Sequence, residues 1–380
     1  MSKISKRLLS IDLPRDRSAF LWGPRKVGKT YWLGRHCQDA ILIDLLKTDV
    51  FAEYASRPSL LRERYKDHSG LVVIDEIQML PELLNEIHWM IENTAVNFLM
   101  TGSSARKLRR AHANLLGGRA WRFTMCPLAY PEITGFDIES IMISGLLPSH
   151  LLSSDPLSDL RAYTGDYLQQ EIASEAAVRS LPVFAGFLRA CALSSGQLLN
   201  YANVAREAGV SAKVVRSYFE ILEDTLLGFT LPAWRRSEKR RLIGAGKFYL
   251  FDVGLCNYLA RRTPQSGTPE FGQAFEHYIL MELRAYRAYR NPELDIAYWR
   301  TSTGIEVDFI LGNMDVAIEV KSSARVHEKH TSGLRALMGD TPVRRAIVVC
   351  QESEPRKTDS GIEVLPWRNF LEQLWADEIV

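Results

Sequence analysis

Eight consecutive residues, Gly23-Pro24-Arg25-Lys26-Val27-Gly28-Lys29-Thr30, carry the spacing G-x-x-x-x-G-K-[ST]. Gly23 and Gly28 let the backbone curl so that successive N–H groups point at phosphate oxygens. Lys29 brings a positive charge to the β- and γ-phosphates, and the Thr30 hydroxyl is a magnesium ligand. The cradle is expected to run from Gly23 through Tyr31. Farther on, the apolar run Leu71-Val72-Val73-Ile74 ends in Asp75-Glu76. There Asp75 would hold magnesium through water, and Glu76 would polarise the attacking water as general base. Together the two motifs point to hydrolysis of a nucleotide, with ATP and Mg2+ as the expected cofactors.

A second constellation lies near the carboxyl end. Ile305, Val307, Phe309 and Leu311 alternate with Glu306 and Asp308; Val316, Ile318 and Val320 alternate with Glu319 and Lys321. Alternation of this kind describes two strands with apolar residues on one face and acids on the other. Packed side by side they would gather Asp308, Glu319 and Lys321, with Glu276 added from a preceding helix. Carboxylates so placed hold Mg2+ or Mn2+, which polarises a scissile phosphate and lowers the pKa of a bound water. Lys321 would orient or activate that water.

The elements needed to position these groups are legible around them. Ala19–Trp22 reads as a buried strand before the loop, Ile41–Asp44 as a second, and Leu71–Ile74 as a strand buried on both faces. A helix opened by Pro81 leads to the strand Asn97–Met100, which ends Thr101-Gly102-Ser103-Ser104, and Trp121–Met125 is the fifth strand. A Ser/Pro-rich break at 149–158 ends a first domain, 1–150. Helices then fill 151–196 as a lid. In 197–262, helix, Gly209 and helix are followed by two strands that bracket Arg235, Arg236, Lys239, Arg240 and Arg241. This is the pattern of a winged helix-turn-helix whose basic tip could track a phosphate backbone. A linker at 263–269 opens the last domain, 263–380, where the helix 271–290 carries Arg284, Arg287 and Arg290.

The motifs resemble AAA-type P-loop ATPases, in particular a large prokaryotic family fused to a poorly characterised carboxyl-terminal region. The resemblance rests on the loop, the Ile-Asp-Glu-Ile-Gln strand end, the Thr-Gly-Ser-Ser strand end and the passage Gly118-Arg119…Pro127-Leu128-Ala129-Tyr130-Pro131-Glu132. It implies a γ-phosphate sensor at Thr101 or Ser103. It also implies an arginine finger acting on a neighbouring subunit, for which Arg119 is the first candidate and Arg109 and Arg110 the next, and hence a homo-oligomer. The terminal D…E-x-K spacing resembles the PD-(D/E)xK nuclease fold. The expected fold class is therefore α/β: an AAA-type core, a helical lid, a winged helix and a PD-(D/E)xK nuclease-like domain, with duplex or branched DNA as partner. Two rivals stand beside this: a DNA-binding switch with an inactive nuclease fold, and an NTP-dependent signalling or chaperone-like module acting on proteins.

Composition bounds these readings. A net charge of +2 restricts nucleic-acid contact to local basic patches, and five scattered cysteines without a C-x-x-C pair suit reduced thiols in a cytoplasm. No apolar run reaches the roughly 18 residues of a membrane span, so none is expected.

Overall fold

A computed structural model describes residues 3–14, 17–104, 116–165, 180–234 and 246–380. The chain forms two compact units. One comprises Arg7–Cys126 with Glu220–Leu227; the other comprises residues 1–6, Pro127–Phe219 and Gly228–Val380. The boundary expected near 150 thus falls instead at 126. The reason is visible in the hydrogen bonds of the displaced segment. Asp252 accepts from the Leu146 amide at 2.7 Å, and the Asn257 side chain donates to Met142 O at 2.9 Å. Two buried polar groups of 127–150, the Leu146 amide and Met142 O, are thus satisfied by residues more than 100 positions later.

In the first unit, β2 (Ser18–Trp22), β3 (Ile41–Asp44), β4 (Leu71–Asp75), β5 (Asn97–Gly102) and β6 (Ala120–Thr124) form a parallel sheet in the order β3-β4-β5-β2-β6. A parallel sheet needs cover on both faces, which is why β2 and β4 read as unbroken apolar runs. Helix Leu83–Asn93 supplies part of that cover through Leu83, Leu84, Ile87 and Met90, all buried at helical spacing. Each such side chain contributes about 1.5–3 kcal/mol on burial. The carboxyl ends of the parallel strands β2, β4 and β5 share one edge of the sheet, the edge at which ligands bind in open α/β sheets.

In the second unit, β1 (Lys3–Ile4) pairs with β7 (Ile133–Thr134). Helices Pro156–Ala162 and Leu181–Leu193 lie within the stretch read as a lid. Asn200 caps helix Tyr201–Ala208 through the amides of Ala202 and Asn203, and Gly209 closes it at φ 67°, left-handed backbone that favours glycine. Helix Ala212–Asp224 and the antiparallel hairpin β8 (Gly228–Leu231) and β9 (Lys247–Leu250) follow. The basic run 235–241 lies outside the described residues. Beyond β8 the chain joins the edge of the terminal sheet: Tyr298 N donates to Pro232 O at 3.0 Å, and Trp234 N to Tyr298 O at 2.6 Å.

That sheet has the order β10-β11-β12-β13-β15-β14. Helix Pro269–Tyr289, capped by Thr268, precedes a meander of β10 (Ile296–Arg300), β11 (Glu306–Leu311) and β12 (Val316–Val320). Helix Ser332–Asp340 crosses to β13 (Arg345–Cys350), which runs parallel to β12. β14 (Arg356–Lys357) and β15 (Glu363–Pro366) follow, then helix Trp367–Trp375. The expected alternation of a dry and a wet face is not what these strands show. All five residues of β12 and Val307–Leu311 of β11 are buried, Asp308 and Glu319 included, while Ile305 is exposed and lies outside β11. Among the described residues, no helix is long and apolar enough to cross a membrane.

Candidate functional site

The phosphate loop leaves β2 under tight steric control. A Cβ at Gly23 would lie 2.7 Å from Met125 O, so the backbones approach as only glycine allows. Gly28 sits at φ 99°, a value that turns the loop into helix Lys29–His36. Lys29 is buried, and its ammonium donates to Gly23 O at 2.7 Å and Pro24 O at 3.2 Å. Burial lowers its pKa, against the pull of Glu76 and Asp75. Val27 is buried, Arg25 half-buried and Lys26 exposed; Tyr31 is exposed and lies under the Arg35 guanidinium at 5.1 Å.

Asp75 is held from two sides. Thr30 Oγ1 donates to Oδ2 at 3.1 Å, and Thr101 Oγ1 donates to Oδ1. Burial raises the Asp75 pKa, which the two hydroxyls partly offset. Glu76 follows in a left-handed conformation, φ 60°, strained for a residue with a Cβ. Its amide is bonded to Thr101 Oγ1 at 3.3 Å. Gln78 Nε2 donates to Glu76 Oε2 and, at 3.2 Å, to Ser103 Oγ, whose own distance to Glu76 is 3.5 Å. Both sensor candidates therefore touch the carboxylate pair, Thr101 on Asp75 and Ser103 beside Glu76.

Two residues of this site escaped sequence reasoning. Gln78 clamps the candidate base; it stands in the Ile-Asp-Glu-Ile-Gln passage but had no role assigned. Arg7 is buried, and its guanidinium donates to Val27 O at 2.5 Å and Cys126 O at 2.7 Å, tying the loop to the chain beyond β6. Its only sequence signal was a basic amino terminus.

Arg119 is not brought to the loop. Parallel register pairs Ser18 with Ala120, so Arg119 stands at the sheet edge where β2 begins, opposite the edge where Gly23 leaves it. There it pairs with Glu92 at 2.5 Å. Arg109 and Arg110 lie outside the described residues.

The terminal constellation is assembled across three elements. Between β10 and β11 the ladder slips: Ala297 faces Ile310 and Trp299 faces Val307, so β11 spends an extra residue where Asp308 stands. Bulges re-aim side chains in this way. Asp308 Oδ2 accepts from Val320 N at 2.7 Å, which draws it to the end of β12, and Lys321 Nζ lies 2.5 Å from Glu319 Oε1. Glu276, on the long helix, accepts from Tyr249 OH at 2.7 Å, and Lys247 Nζ lies 3.7 Å away. Lys247 also pairs with Glu306, which in turn accepts from Arg300 at 2.9 Å. Lys247 and Tyr249 come from the β8–β9 hairpin and were not foreseen.

The electrostatics match this crowding. Burial, then the neighbouring Asp308 charge, lifts Glu276 to about 7 and Glu319 to about 8. Burial also raises Asp308. Lys321 and Lys247 are pushed upward as well, because the surrounding carboxylates outweigh the burial that opposes their charge. The donor set suits a hard divalent cation, and Glu319 Oε2 is buried without a hydrogen-bond partner among the described residues, the kind of orphan a cation would satisfy. The expected three-acid cage is nevertheless not closed. Among the described residues no group of three His, Cys, Asp or Glu converges to hold a metal. Each acid is turned to its own donor: Glu276 to Tyr249, Asp308 to Val320 N and Glu319 to Lys321.

Comparison with known proteins matches three successive stretches of the chain. Residues 15–134 match the family described as AAA domain. Residues 135–266 and 271–370 match two domains of unknown function, DUF8612 and DUF4143. Uncharacterized protein Rv2008c of Mycobacterium tuberculosis is 24% identical over 97% of this chain and 84% of its own length. Uncharacterized protein MJ1544 of Methanocaldococcus jannaschii is 21% identical over 82% of this chain and 75% of its own length. An AAA-type domain carrying the residues of an ATPase is thus fused to a carboxyl-terminal region.

Proposed function

We propose that the protein is a magnesium-dependent ATPase that acts on DNA, and that its terminal domain is a PD-(D/E)xK nuclease-like fold joined through a winged helix. At the amino-terminal site, the loop amides bind the phosphates, and Lys29 must leave Gly23 O and Pro24 O to reach them. Thr30 and Asp75 would hold Mg2+, which neutralises charge developing on the transferred phosphate. Thr101 keeps Asp75 oriented. Gln78 and Ser103 hold the Glu76 carboxylate, which takes the proton of the attacking water. Arg119 completes the site of a neighbouring copy, so turnover rises with self-association.

The nuclease reading rests on one observation: Asp308 accepts from Val320 N, the residue between Glu319 and Lys321, which pair with each other, and among the described residues Glu319 Oε2 has no hydrogen-bond partner. The element order supports it, since a helix, a three-stranded meander, a crossover helix and a parallel strand follow one another as that fold requires. Asp308, Glu319 and Glu276 would hold Mg2+ or Mn2+, which supplies an acidified water and polarises the phosphate. Lys321 then orients that water. Purified protein incubated with duplex, single-stranded and four-way-junction DNA, with either metal and with or without ATP, tests this directly. Cleavage that disappears in Lys321→Ala while ATP turnover persists is the expected result; cleavage unchanged in that variant removes the site.

The open cage favours a second reading, an ATP-driven DNA-binding switch in which the nuclease fold only grips DNA. In that case DNA stimulates ATP turnover, binding weakens with salt, and no cleavage appears with either metal.

A further inference from the structure

The open cage and the buried lysine beside it, Lys247, have a common explanation. A cleft of about 470 Å3 borders the acid cluster; Lys247, Tyr249, Glu276, Arg300 and Glu306 are among the residues that line it. Lys247 is the first residue of β9, only 3% exposed, and its ammonium lies between Glu276 and Glu306 and over the Tyr298 ring at 5.5 Å. A buried ammonium is strongly disfavoured unless paired, so this position is built and not incidental. Its backbone is fixed too. The residues flanking the hairpin are bonded to neighbours, with Leu199 N on Gly246 O at 2.8 Å and Pro232 and Trp234 joined to β10 through Tyr298.

The charges show what the ammonium does there. Among the described residues, the cluster joins four carboxylates, Glu276, Glu306, Asp308 and Glu319, to three cations, Lys247, Lys321 and Arg300. With all four carboxylates ionised, as metal ligation requires, one divalent ion in place of Lys247 would bring the two signs to equality. A divalent ion added beside Lys247 would leave an excess of buried positive charge. We propose that Lys247 is a built-in counter-cation of the terminal site, a positioning residue that holds Glu276 outward and competes with a divalent metal for the carboxylates. Metal entry then requires the Lys247 side chain to withdraw, which couples the β8–β9 hairpin to the state of the terminal cluster. The proposal rests on the metal-site reading above and adds the residue that opposes it.

The test uses full-length, nucleotide-free protein carrying Asp75→Asn, which removes the other candidate metal ligand set. Binding of Mn2+ is followed by electron paramagnetic resonance. Lys247→Met should tighten Mn2+ binding by about tenfold or more, Lys247→Arg should bind as weakly as the Lys247 parent, and Glu319→Gln should abolish the gain. Equal or weaker binding by Lys247→Met overturns the role of the lysine while leaving the metal site standing. Absence of Mn2+ binding in parent and Lys247→Met alike overturns both. The parent also offers a readout that needs no substitution at 247: saturating Mn2+ should raise acetylation of Lys247, measured by mass spectrometry. Unchanged labelling in Mn2+-loaded parent contradicts the withdrawal.

Discussion

The two charged sites of this chain are built by different means. In the amino-terminal unit the phosphate loop is one consecutive run of residues, and Asp75, at the end of β4, is held by Thr30 at the start of the loop's helix and by Thr101 on β5. At the carboxyl end the acids come from a helix and two strands, while the cation opposing them comes from a hairpin outside the sheet. A site made of consecutive backbone is organised before its ligand arrives. A site made of convergent buried charges must first resolve its own repulsion, here through intramolecular lysines and raised carboxylate pKa values. The first thus needs only Lys29 to release Gly23 O and Pro24 O, while the second must first open its own ion pairs.

The largest effect that should separate the two is chemical. Glu76→Gln keeps the hydrogen bond from Gln78 but removes the base, so ATP turnover should fall by about 100-fold or more while bound nucleotide is retained. Mn2+ binding at the terminal site should not change. Single-turnover assays with filter binding check this, and undiminished turnover would remove Glu76 as base.

A structural contrast comes next. Arg7→Met strips the buried donor from Val27 O and Cys126 O, at a cost of about 2–4 kcal/mol. Urea unfolding should show the loss in the amino-terminal unit, with weaker ATP binding. A shift confined to the other unit would deny Arg7 its place on the loop.

Glu282 probes the second unit away from the acid cluster. It accepts from Tyr130 N at 2.9 Å and Trp375 Nε1 at 3.0 Å, and burial lifts it to about 7. Because the folded pKa lies above the unfolded one, its contribution is present at low pH and lost as pH rises through about 7. Thermal stability of the wild type should therefore decline from pH 5 to pH 8, and Glu282→Gln should flatten that slope by on the order of 1–3 kcal/mol. An unaltered slope would place the titration elsewhere.

Arg119→Ala gives the smallest structural effect and a selective functional one. Its ion pair with Glu92 is exposed, so stability should move by less than about 0.5 kcal/mol. ATP turnover should nevertheless lose its dependence on protein concentration; turnover identical to wild type at every concentration would exclude the finger.

What the sequence made legible follows the same divide. The phosphate loop, the Asp-Glu strand and their flanking elements could be read because their geometry is local. Asp308, Glu319 and Lys321 could be read from strand periodicity, yet the burial of Asp308 and Glu319 could not, because periodicity does not report the helices that cover a sheet. Arg7, Gln78, Lys247 and Tyr249 stayed hidden for a further reason. Three of them act on residues 20 or more positions away, and Gln78 acts through a strained turn, with Glu76 at φ 60°, that no spacing rule describes. The boundary at 126 was missed because the segment after it satisfies its polar groups on residues more than 100 positions later.

The central claim is that one chain holds two separable phosphate-handling centres. It is tested most directly by assaying wild type, Lys29→Ala and Lys321→Ala side by side for ATP hydrolysis and for Mn2+-dependent DNA cleavage. Lys29→Ala should lose hydrolysis and retain metal-dependent cutting in the absence of ATP, and Lys321→Ala should do the reverse. Cleavage by Lys321→Ala at the wild-type rate, or loss of both activities in either variant with the fold intact by circular dichroism, would contradict the account.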